Sequence, residues 1–169
     1  VCVSFQRIYL NKNVKNEFMS AFVDEVKKVK LGDPMEKDTV VGPLIRKSEI
    51  SRVDSWVQES LRNGSELILG NGKLSEVSYD KTIILNPEKE DKISQNEIFG
   101  PVVTINEFND FEKAIEEANL VNVSFQSSIF TDKISEILKF YEKINASAVF
   151  HNDHTDFMVD WMPLPGLQQ

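Results

Sequence analysis

Apolar residues repeat at spacings of three and four in two parts of the chain, and this period predicts amphipathic helices. We expect the first helix over residues 14–29 and the second over residues 48–63. The apolar positions are Val14, Phe18, Ala21, Phe22, Val26 and Val29 in the first helix, and Ile50, Val53, Val57 and Leu61 in the second. Gly32 and Gly64 follow the two stripes, where glycine commonly stops a helix.

Shorter apolar runs, rich in β-branched and aromatic residues and bounded by Gly, Asn, Asp or Pro, predict strands. Two further helices are expected over residues 110–119 and 132–145, with Asp110 and Asp132 at their N-caps. The predicted strands cover residues 3–10, 66–69, 82–85, 102–108, 127–131 and 147–152. Strands and helices therefore alternate, which predicts an α/β fold with an open sheet and helices on both faces.

Length and composition predict a single globular domain and argue against several classes of function. The 169 residues are 41% hydrophobic and 27% charged, without an internal repeat or linker, so we expect one domain over residues 1–169. Nineteen basic and 27 acidic residues give a net charge of -8, which argues against nucleic acid or membrane partners. No apolar run approaches the roughly 18 residues that a membrane span needs. A lone cysteine forms no internal disulfide, so a cytoplasmic location is expected.

The lone thiol belongs to Cys2, inside an apolar run at the very start of the sequence. Residues 156–169 lack periodicity and a cap, so we expect both ends to be cuts in a longer chain. A cysteine acts as a nucleophile only as a thiolate, which a nearby positive charge, helix N-terminus or base must stabilise. Free cysteine is more often a buried, inert residue, so composition alone favours that interpretation of Cys2.

Two polar loops offer further chemistry. Glu97 and Phe99 precede a Gly-Pro turn and a predicted strand. They could hold a ribose diol and pack on the attached base, or the loop could simply set a turn and plug the core. His151 and His154 could bind a metal, but we find no further ligands for one. A polar loop at a strand end is therefore favoured, and no metal site is predicted.

Taken together, several stretches resemble the catalytic domain of the NAD(P)-dependent aldehyde dehydrogenase superfamily, over nearly the whole chain. Val1-Cys2-Val3-Ser4-Phe5-Gln6-Arg7 resembles the catalytic-cysteine segment of that family. Glu97-x-Phe99-Gly100-Pro101-Val102 matches its ExFGPV signature. Similar family stretches are matched by Gly32-Asp33-Pro34, by Gly42-Pro43-Leu44-Ile45, and by Ala118-Asn119 with residues 125–131. Several matches in the same order are far more specific than any single motif.

The resemblance implies a three-layer catalytic domain with Cys2 as its nucleophile. The thiolate would attack an aldehyde, the thiohemiacetal would lose a hydride to NAD or NADP, and water would hydrolyse the thioester to release an acid. The backbone N–H of Cys2 would help to stabilise the oxyanion. Glu97 would bind the nicotinamide ribose, and Phe99 would pack near the nicotinamide ring. The implied substrate loop includes Val1, Val3, Asn152 and Phe157, with Asn152 contributing shape rather than chemistry.

The resemblance also implies parts that this sequence lacks. The family's dinucleotide-binding domain, general-base glutamate and oxyanion-hole asparagine would all precede Cys2, and no Gly-rich phosphate loop follows a strand here. We therefore expect the isolated chain to be inactive and to depend on a missing cofactor-binding domain. A homo-oligomer is expected for the intact enzyme.

Two departures from the family's pattern keep an alternative open. Met158 stands where the family usually has arginine, and Leu164-Pro165 replaces a Phe-Gly pair, which fixes φ and deletes an N–H. The leading hypothesis is a fragment of an enzyme that oxidises a small aldehyde, closest in look to the lactaldehyde, glyceraldehyde and succinate-semialdehyde branches. The alternative is a noncatalytic remnant or interaction module that keeps only the fold.

Overall fold

The computed structural model describes residues 2–70, 72–121, 125–157 and 159–161. The chain divides into two compact units, each with its own sheet. The first unit is Gln6–Asn109, and the second combines the described parts of Val1–Phe5 and Asp110–Gln169. The prediction of one domain over residues 1–169 is not decided by this division and stays a prediction.

A four-stranded mixed sheet organises the first unit. Its strands, in chain order, are β1 (Arg7–Asn11), β2 (Glu66–Leu69), β3 (Thr82–Leu85) and β4 (Val102–Phe108). The spatial order is β1-β4-β3-β2, in which β4 runs parallel to both of its neighbours and β2 is antiparallel to β3. The first unit therefore has β4 at the centre of its sheet, next to β3.

Helices cover both faces of this sheet. Helix α1 (Lys15–Lys28), which follows a 3-10 turn at Lys12–Val14, packs on one face, and α2 (Lys47–Arg62) packs on the other. Alternation along β3 decides the assignment, because Ile83 packs with the α1 side chains and Ile84 packs with those of α2. The expected three-layer arrangement with an open sheet and helices on both faces is thus confirmed within this unit.

The second unit is built around a smaller sheet of two strands. Strands β5 (Gln126–Ile129) and β6 (Ala148–His151) pair in parallel, and α5 (Ile134–Lys143) lies between them in sequence. Helix α4 (Phe111–Ala118) precedes β5. The core of the unit consists of Ile115, Ile129, Phe140 and Ile144, with Phe111, Ala118, Ala146 and Val149 packed around it.

Most predicted elements are present, and the differences lie at their ends. Strands β2, β3 and β4 have the predicted bounds, whereas β1 begins only at Arg7. Helix α1 ends at Lys28, before Gly32, because the backbone is already extended at Val29. A four-residue helix, α3 (Lys92–Gln95), was not predicted, since one turn is too short to display a helical period.

The two predicted N-caps have different outcomes. Asp110 caps α4, with its Oδ1 accepting hydrogen bonds from the backbone N–H groups of Glu112 and Lys113. The prediction for Asp132 is wrong, because α5 begins one residue later than such a cap requires and Lys133 occupies the N-cap position. Thr131 Oγ1 instead accepts the hydrogen bond from the N–H of Lys133, at 3.3 Å.

This difference between the caps predicts a difference in stability. Replacing Asp110 by alanine should lower the free energy of unfolding by about 1 kcal/mol, because two backbone N–H groups lose their acceptor. The matched substitution Asp132→Ala should change it by less than about 0.5 kcal/mol. Urea denaturation, with amide hydrogen exchange of α4 as a local readout, measures both. Equal losses in the two variants would contradict the assignment of the caps.

A charge cluster joins α4 to α5. Lys139 Nζ lies 2.6 Å from Glu112 Oε1, and Lys143 Nζ lies 2.7 Å from Oε2. The hydrogen bonds from Lys139 and Lys143, with their charges, lower the pKa of Glu112 to about 2. Because the pKa of Glu112 is lower in the folded state, its ionised form stabilises the fold at pH values above roughly 4.3, the pKa of a glutamate in the unfolded chain. This contribution is lost as the pH falls toward 2.

We therefore expect Glu112 to remain ionised at pH 4, where ordinary glutamates are more than half protonated. Carbon-13 NMR of the side-chain carboxyl group measures this directly. About 1 M salt should raise the pKa of Glu112, since it shortens the screening length to roughly 3 Å. The double variant Lys139→Gln, Lys143→Gln should bring it back to the ordinary range. Half-protonation at pH 4 in low salt would refute the effect of the cluster.

Candidate functional site

The loop between α3 and β4 carries the predicted cofactor residues Glu97 and Phe99. Both side chains are exposed, Phe99 to 59%, whereas Ile98 between them is only 2% exposed and packs in the core under α2. No other side chain among the described residues hydrogen-bonds to or forms an ion pair with the Glu97 carboxylate. The loop therefore presents a carboxylate and an aromatic ring to solvent on either side of one buried anchor.

Hydrogen bonds fix this anchor from two directions. The N–H of Ile98 donates to Gln6 Oε1 at 2.8 Å, and the carbonyl oxygen of Ile98 accepts from Arg52 Nη2 at 2.6 Å. Arg52 is itself held in place, because its Nε donates to Glu49 at 2.8 Å and its guanidinium lies 4.6 Å from the centre of the Trp56 ring. The hydrogen bond from Arg52 also lowers the pKa of Glu49.

The loop backbone has an unusual conformation at Phe99, where φ is +46°. A side chain other than glycine or asparagine is uncommon in this left-handed region and persists where the surroundings hold it. Gly100 follows, and a Cβ atom there would lie 3.0 Å from Val53 Cγ2. The Pro101 carbonyl then accepts a hydrogen bond from the N–H of Thr82 in β3. Close packing against α2 and pairing with β3 therefore hold the loop beyond Phe99.

The predicted nucleophile lies in the second unit. Cys2 is exposed and is the only cysteine of the chain. Val3, which follows it, is half-buried, and its carbonyl oxygen accepts a hydrogen bond from Thr155 Oγ1 at 2.7 Å. This hydrogen bond joins the Cys2 segment to the loop after β6, which contains Asn152 and Phe157. Val3 and that loop are thus brought together.

Asn152 has a structural partner inside its own unit. Its φ is +52°, and its Oδ1 accepts a hydrogen bond from the N–H of Thr131 at 3.0 Å. The backbone N–H of Asn152 donates to the carbonyl of Ile129 at 2.9 Å, which extends the pairing of β6 with β5. Phe157 is half-exposed at the far end of the loop. Asn152 therefore bonds through both its side chain and its backbone to residues at the end of β5 and just after it.

The two histidines of this region have separate partners. His151 Nε2 lies 2.8 Å from the carbonyl oxygen of Thr131, and His154 Nδ1 contacts the carboxylate of Asp156. No group of three or more His, Cys, Asp or Glu side chains that could hold a metal occurs in the described part of the chain. Among the same residues, none of the helices has the length and apolar character to cross a membrane.

Sequence reasoning named the exposed residues of these loops but missed the residues that hold them. Gln6, Arg52 and Thr155 bond to backbone groups 46 to 152 residues away in sequence, and a local pattern carries no signal for such partners. Gln6 was included only as part of a motif. The predicted residue Val1 and the departures at Met158 and Leu164-Pro165 lie outside the described residues.

The hydrogen bond between Thr155 and Val3 yields a stability prediction. Thr155→Val keeps the shape of the side chain but leaves the Val3 carbonyl without this donor, so the free energy of unfolding should fall by about 1 kcal/mol. Thr155→Ser keeps the hydroxyl group and should recover at least half of that loss. Chemical denaturation of the three proteins provides the comparison. If valine were tolerated as well as serine, the hydrogen bond would have no energetic role.

Known proteins resemble the chain over its whole length. The sequence is 32% identical to 3-sulfolactaldehyde dehydrogenase of Priestia aryabhattai, over all of this chain and 35% of that protein. The crystal structure of aldehyde dehydrogenase 21 from Physcomitrella patens, in complex with the reaction product succinate, superimposes with a TM-score of 0.94 at 33% identity. The superposition includes 99% of this chain and 35% of the chain in that structure.

A second solved structure also superimposes closely on this chain. Glyceraldehyde-3-phosphate dehydrogenase from Methanocaldococcus jannaschii, complexed with NADP, gives a TM-score of 0.92 at 32% identity over 99% of this chain and 36% of its own. The chain thus spans about a third of the length of these relatives. The model of the aldehyde dehydrogenase family matches residues 1–169. Because this match includes every residue of the sequence, the chain belongs to the aldehyde dehydrogenase family.

Proposed function

We propose that this chain is the catalytic part of an NAD(P)-dependent aldehyde dehydrogenase that oxidises a small aldehyde to a carboxylic acid. The observation that carries the proposal is the exposed thiol of Cys2, within the segment that resembles the family's catalytic cysteine. A nucleophile must reach its substrate, so the buried, inert cysteine that composition favoured would have argued against catalysis. The exposure of Cys2 removes that objection.

In this proposal Cys2 carries the covalent chemistry. Its thiolate forms a C–S bond with the aldehyde carbon, and the resulting oxyanion of the thiohemiacetal is stabilised by the backbone N–H of Cys2. NAD or NADP, when bound, would supply the acceptor for the hydride that leaves this carbon. The product of that step is a thioester on Cys2. Water then breaks the C–S bond, which releases the acid and returns the thiol.

Glu97 and Phe99 suit the nicotinamide end of NAD or NADP. A carboxylate has two oxygens that can accept hydrogen bonds from adjacent ribose hydroxyls, and Glu97 is exposed on its loop. The Phe99 ring is 59% exposed, so it has surface available for packing against a planar ring. These residues fit the cofactor, and we assign ribose binding to Glu97 and ring packing to Phe99.

The residues that we propose for contact with the aldehyde belong to the second unit. Val3, Asn152 and Phe157 belong to the two segments that Thr155 joins, and together with Val1 we assign them to the wall around the aldehyde. Two relatives are named as dehydrogenases of 3-sulfolactaldehyde and of glyceraldehyde-3-phosphate, and a third is bound to its reaction product succinate. These small molecules support a small aldehyde as the substrate.

The proposed enzyme needs more than this chain. Since the chain spans about 35% of its relatives, we propose that a separate region supplies the cofactor-binding domain and the remaining catalytic groups. We also propose a cytoplasmic location, which the lone cysteine supports, and a homo-oligomer, which the resemblance to the family implies. This chain covers 35% of the succinate-bound relative and 36% of the NADP-bound relative.

The proposal predicts a specific loss in the native enzyme. Replacing Cys2 by serine should lower the rate of aldehyde-dependent reduction of NAD(P) by at least about a thousandfold, because an alcohol is a far weaker nucleophile than a thiolate. Ser4→Ala, two residues away, is the matched control and should retain activity. Absorbance of the reduced cofactor measures both rates. A Cys2→Ser enzyme with normal turnover would refute the mechanism.

Residues 1–169 alone should neither bind NAD productively nor turn over an aldehyde, because the proposed cofactor domain is not among them. The same assay on the purified chain tests this, with lactaldehyde, glyceraldehyde and succinate semialdehyde as substrates. Aldehyde-dependent formation of NADH by the isolated chain would contradict the expectation and would assign the entire reaction to these residues.

A further inference from the structure

Gln6 lies directly before β1, and its side-chain amide joins that strand to the loop of Glu97 and Phe99. Nε2 donates to the carbonyl oxygens of Ile93, at 3.0 Å, and Asn96, at 2.8 Å, while Oε1 accepts from the N–H of Ile98 at 2.8 Å. Both N–H bonds of the amide are used, and its oxygen has one backbone donor. All three partners belong to a single stretch of six residues.

The chemistry of these partners selects glutamine. Two carbonyls need a donor and one N–H needs an acceptor, and an amide supplies both from one planar group. A carboxylate would place oxygen against the two carbonyls, and an aliphatic side chain would leave all three groups without this partner. The main chain of Gln6 is fixed as well, since its carbonyl accepts from the N–H of Thr104 in β4 at 2.9 Å. The amide therefore projects from a rigid strand.

The carbonyls that Gln6 satisfies lie at the C-terminal end of α3, where the last carbonyls of a helix lack partners within the helix. Two residues after Asn96, Ile98 is bonded to Gln6 and to Arg52 and is buried in the core. Glu97 lies between these two fixed points, and Phe99 follows the second with its positive φ. Small movements of Ile98 would therefore turn both exposed side chains.

We propose that Gln6 is a positioning residue, which holds Glu97 and Phe99 in the conformation that receives the nicotinamide ribose and ring. The inference rests on the proposed function for its consequence in catalysis. Its structural half, the ordering of residues 96–100, stands independently of any activity. Gln6 makes no contact with the cofactor in this proposal and acts only through the backbone that carries the two cofactor residues.

A matched pair of substitutions tests the structural half on the chain itself. Gln6→Met keeps the length of the side chain and removes all three hydrogen bonds. Gln95→Met is the control, because Gln95 also belongs to this region and its Nε2 donates to the carbonyl of Lys89, outside the loop. Amide hydrogen exchange over residues 96–100 should accelerate about tenfold or more in Gln6→Met and stay unchanged in Gln95→Met. Unchanged exchange in Gln6→Met would overturn the inference whatever the enzyme does.

The catalytic half is tested in the native dehydrogenase. Gln6→Met should raise the KM and the dissociation constant for NAD(P) about tenfold or more, while the KM for the aldehyde changes less than about twofold. A general loss of folded protein would lower kcat without this split between the two substrates. If the wild-type protein oxidises aldehydes and Gln6→Met leaves the cofactor constants unchanged, the inference is wrong. If the wild type itself has no such activity, the proposed function fails, and the exchange experiment still decides the structural half.

Gln6→Glu provides a third readout and replaces Gln6→Met if that variant does not fold. Ionised, the new carboxylate offers only acceptors, but once protonated it regains one O–H donor. The exchange of residues 96–100 in Gln6→Glu should therefore slow as the pH falls from 7 to about 4, through the ordinary pKa of glutamate, after correction for intrinsic exchange. No pH-dependent recovery relative to wild type would count against the role of the amide donors.

Discussion

Strand β4 is paired along both edges, and the first unit depends on that constraint. Its neighbours β1 and β3 run parallel to it, and Thr104 and Ile105 at its centre are fully buried. Parallel strands require long connections, so elements from the start and the middle of the chain must both be in place before β4 is complete. The loop with Glu97 and Phe99 leads directly into β4, so the last residues of the loop are attached to a rigid strand.

The other end of that loop is held by side chains rather than by a ladder. Buried Ile98 fills a place under α2, and Gln6 and Arg52 bond to its two peptide groups. A loop with this many fixed points can keep a phenylalanine in a left-handed conformation that would cost free energy elsewhere. In the second unit the side chain of Thr155 joins the Cys2 segment to the loop after β6. In both cases the residues proposed for chemistry are exposed, and their neighbours hold them.

The sequence predicted those parts of the molecule that depend on local periodicity. The stripes of α1 and α2 and the apolar runs of β3 and β4 are visible in the sequence because each contributes several side chains to a core. Element ends were less predictable, as Asp132 shows, since the cap of α5 depends on where the chain leaves β5. The residue types of the candidate site were visible as motifs. The hydrogen bonds that hold it were not, because Gln6 and its partners are 87 to 92 residues apart.

The pairing of β1 with β4 has a consequence for how the molecule forms. In the first sheet β1 pairs only with β4, and the bond from Ile98 to Gln6 closes a loop of 92 residues. On a ribosome that adds roughly 5–20 residues per second, β1 would emerge seconds before β4, the strand with which it pairs here. Contacts so distant in sequence also slow folding after release, because the entropy of closing the loop is lost before the contacts are gained. The segment that follows Cys2 would then be among the last parts of the first unit to acquire its native structure, and a chaperone that shields an apolar strand would act there first.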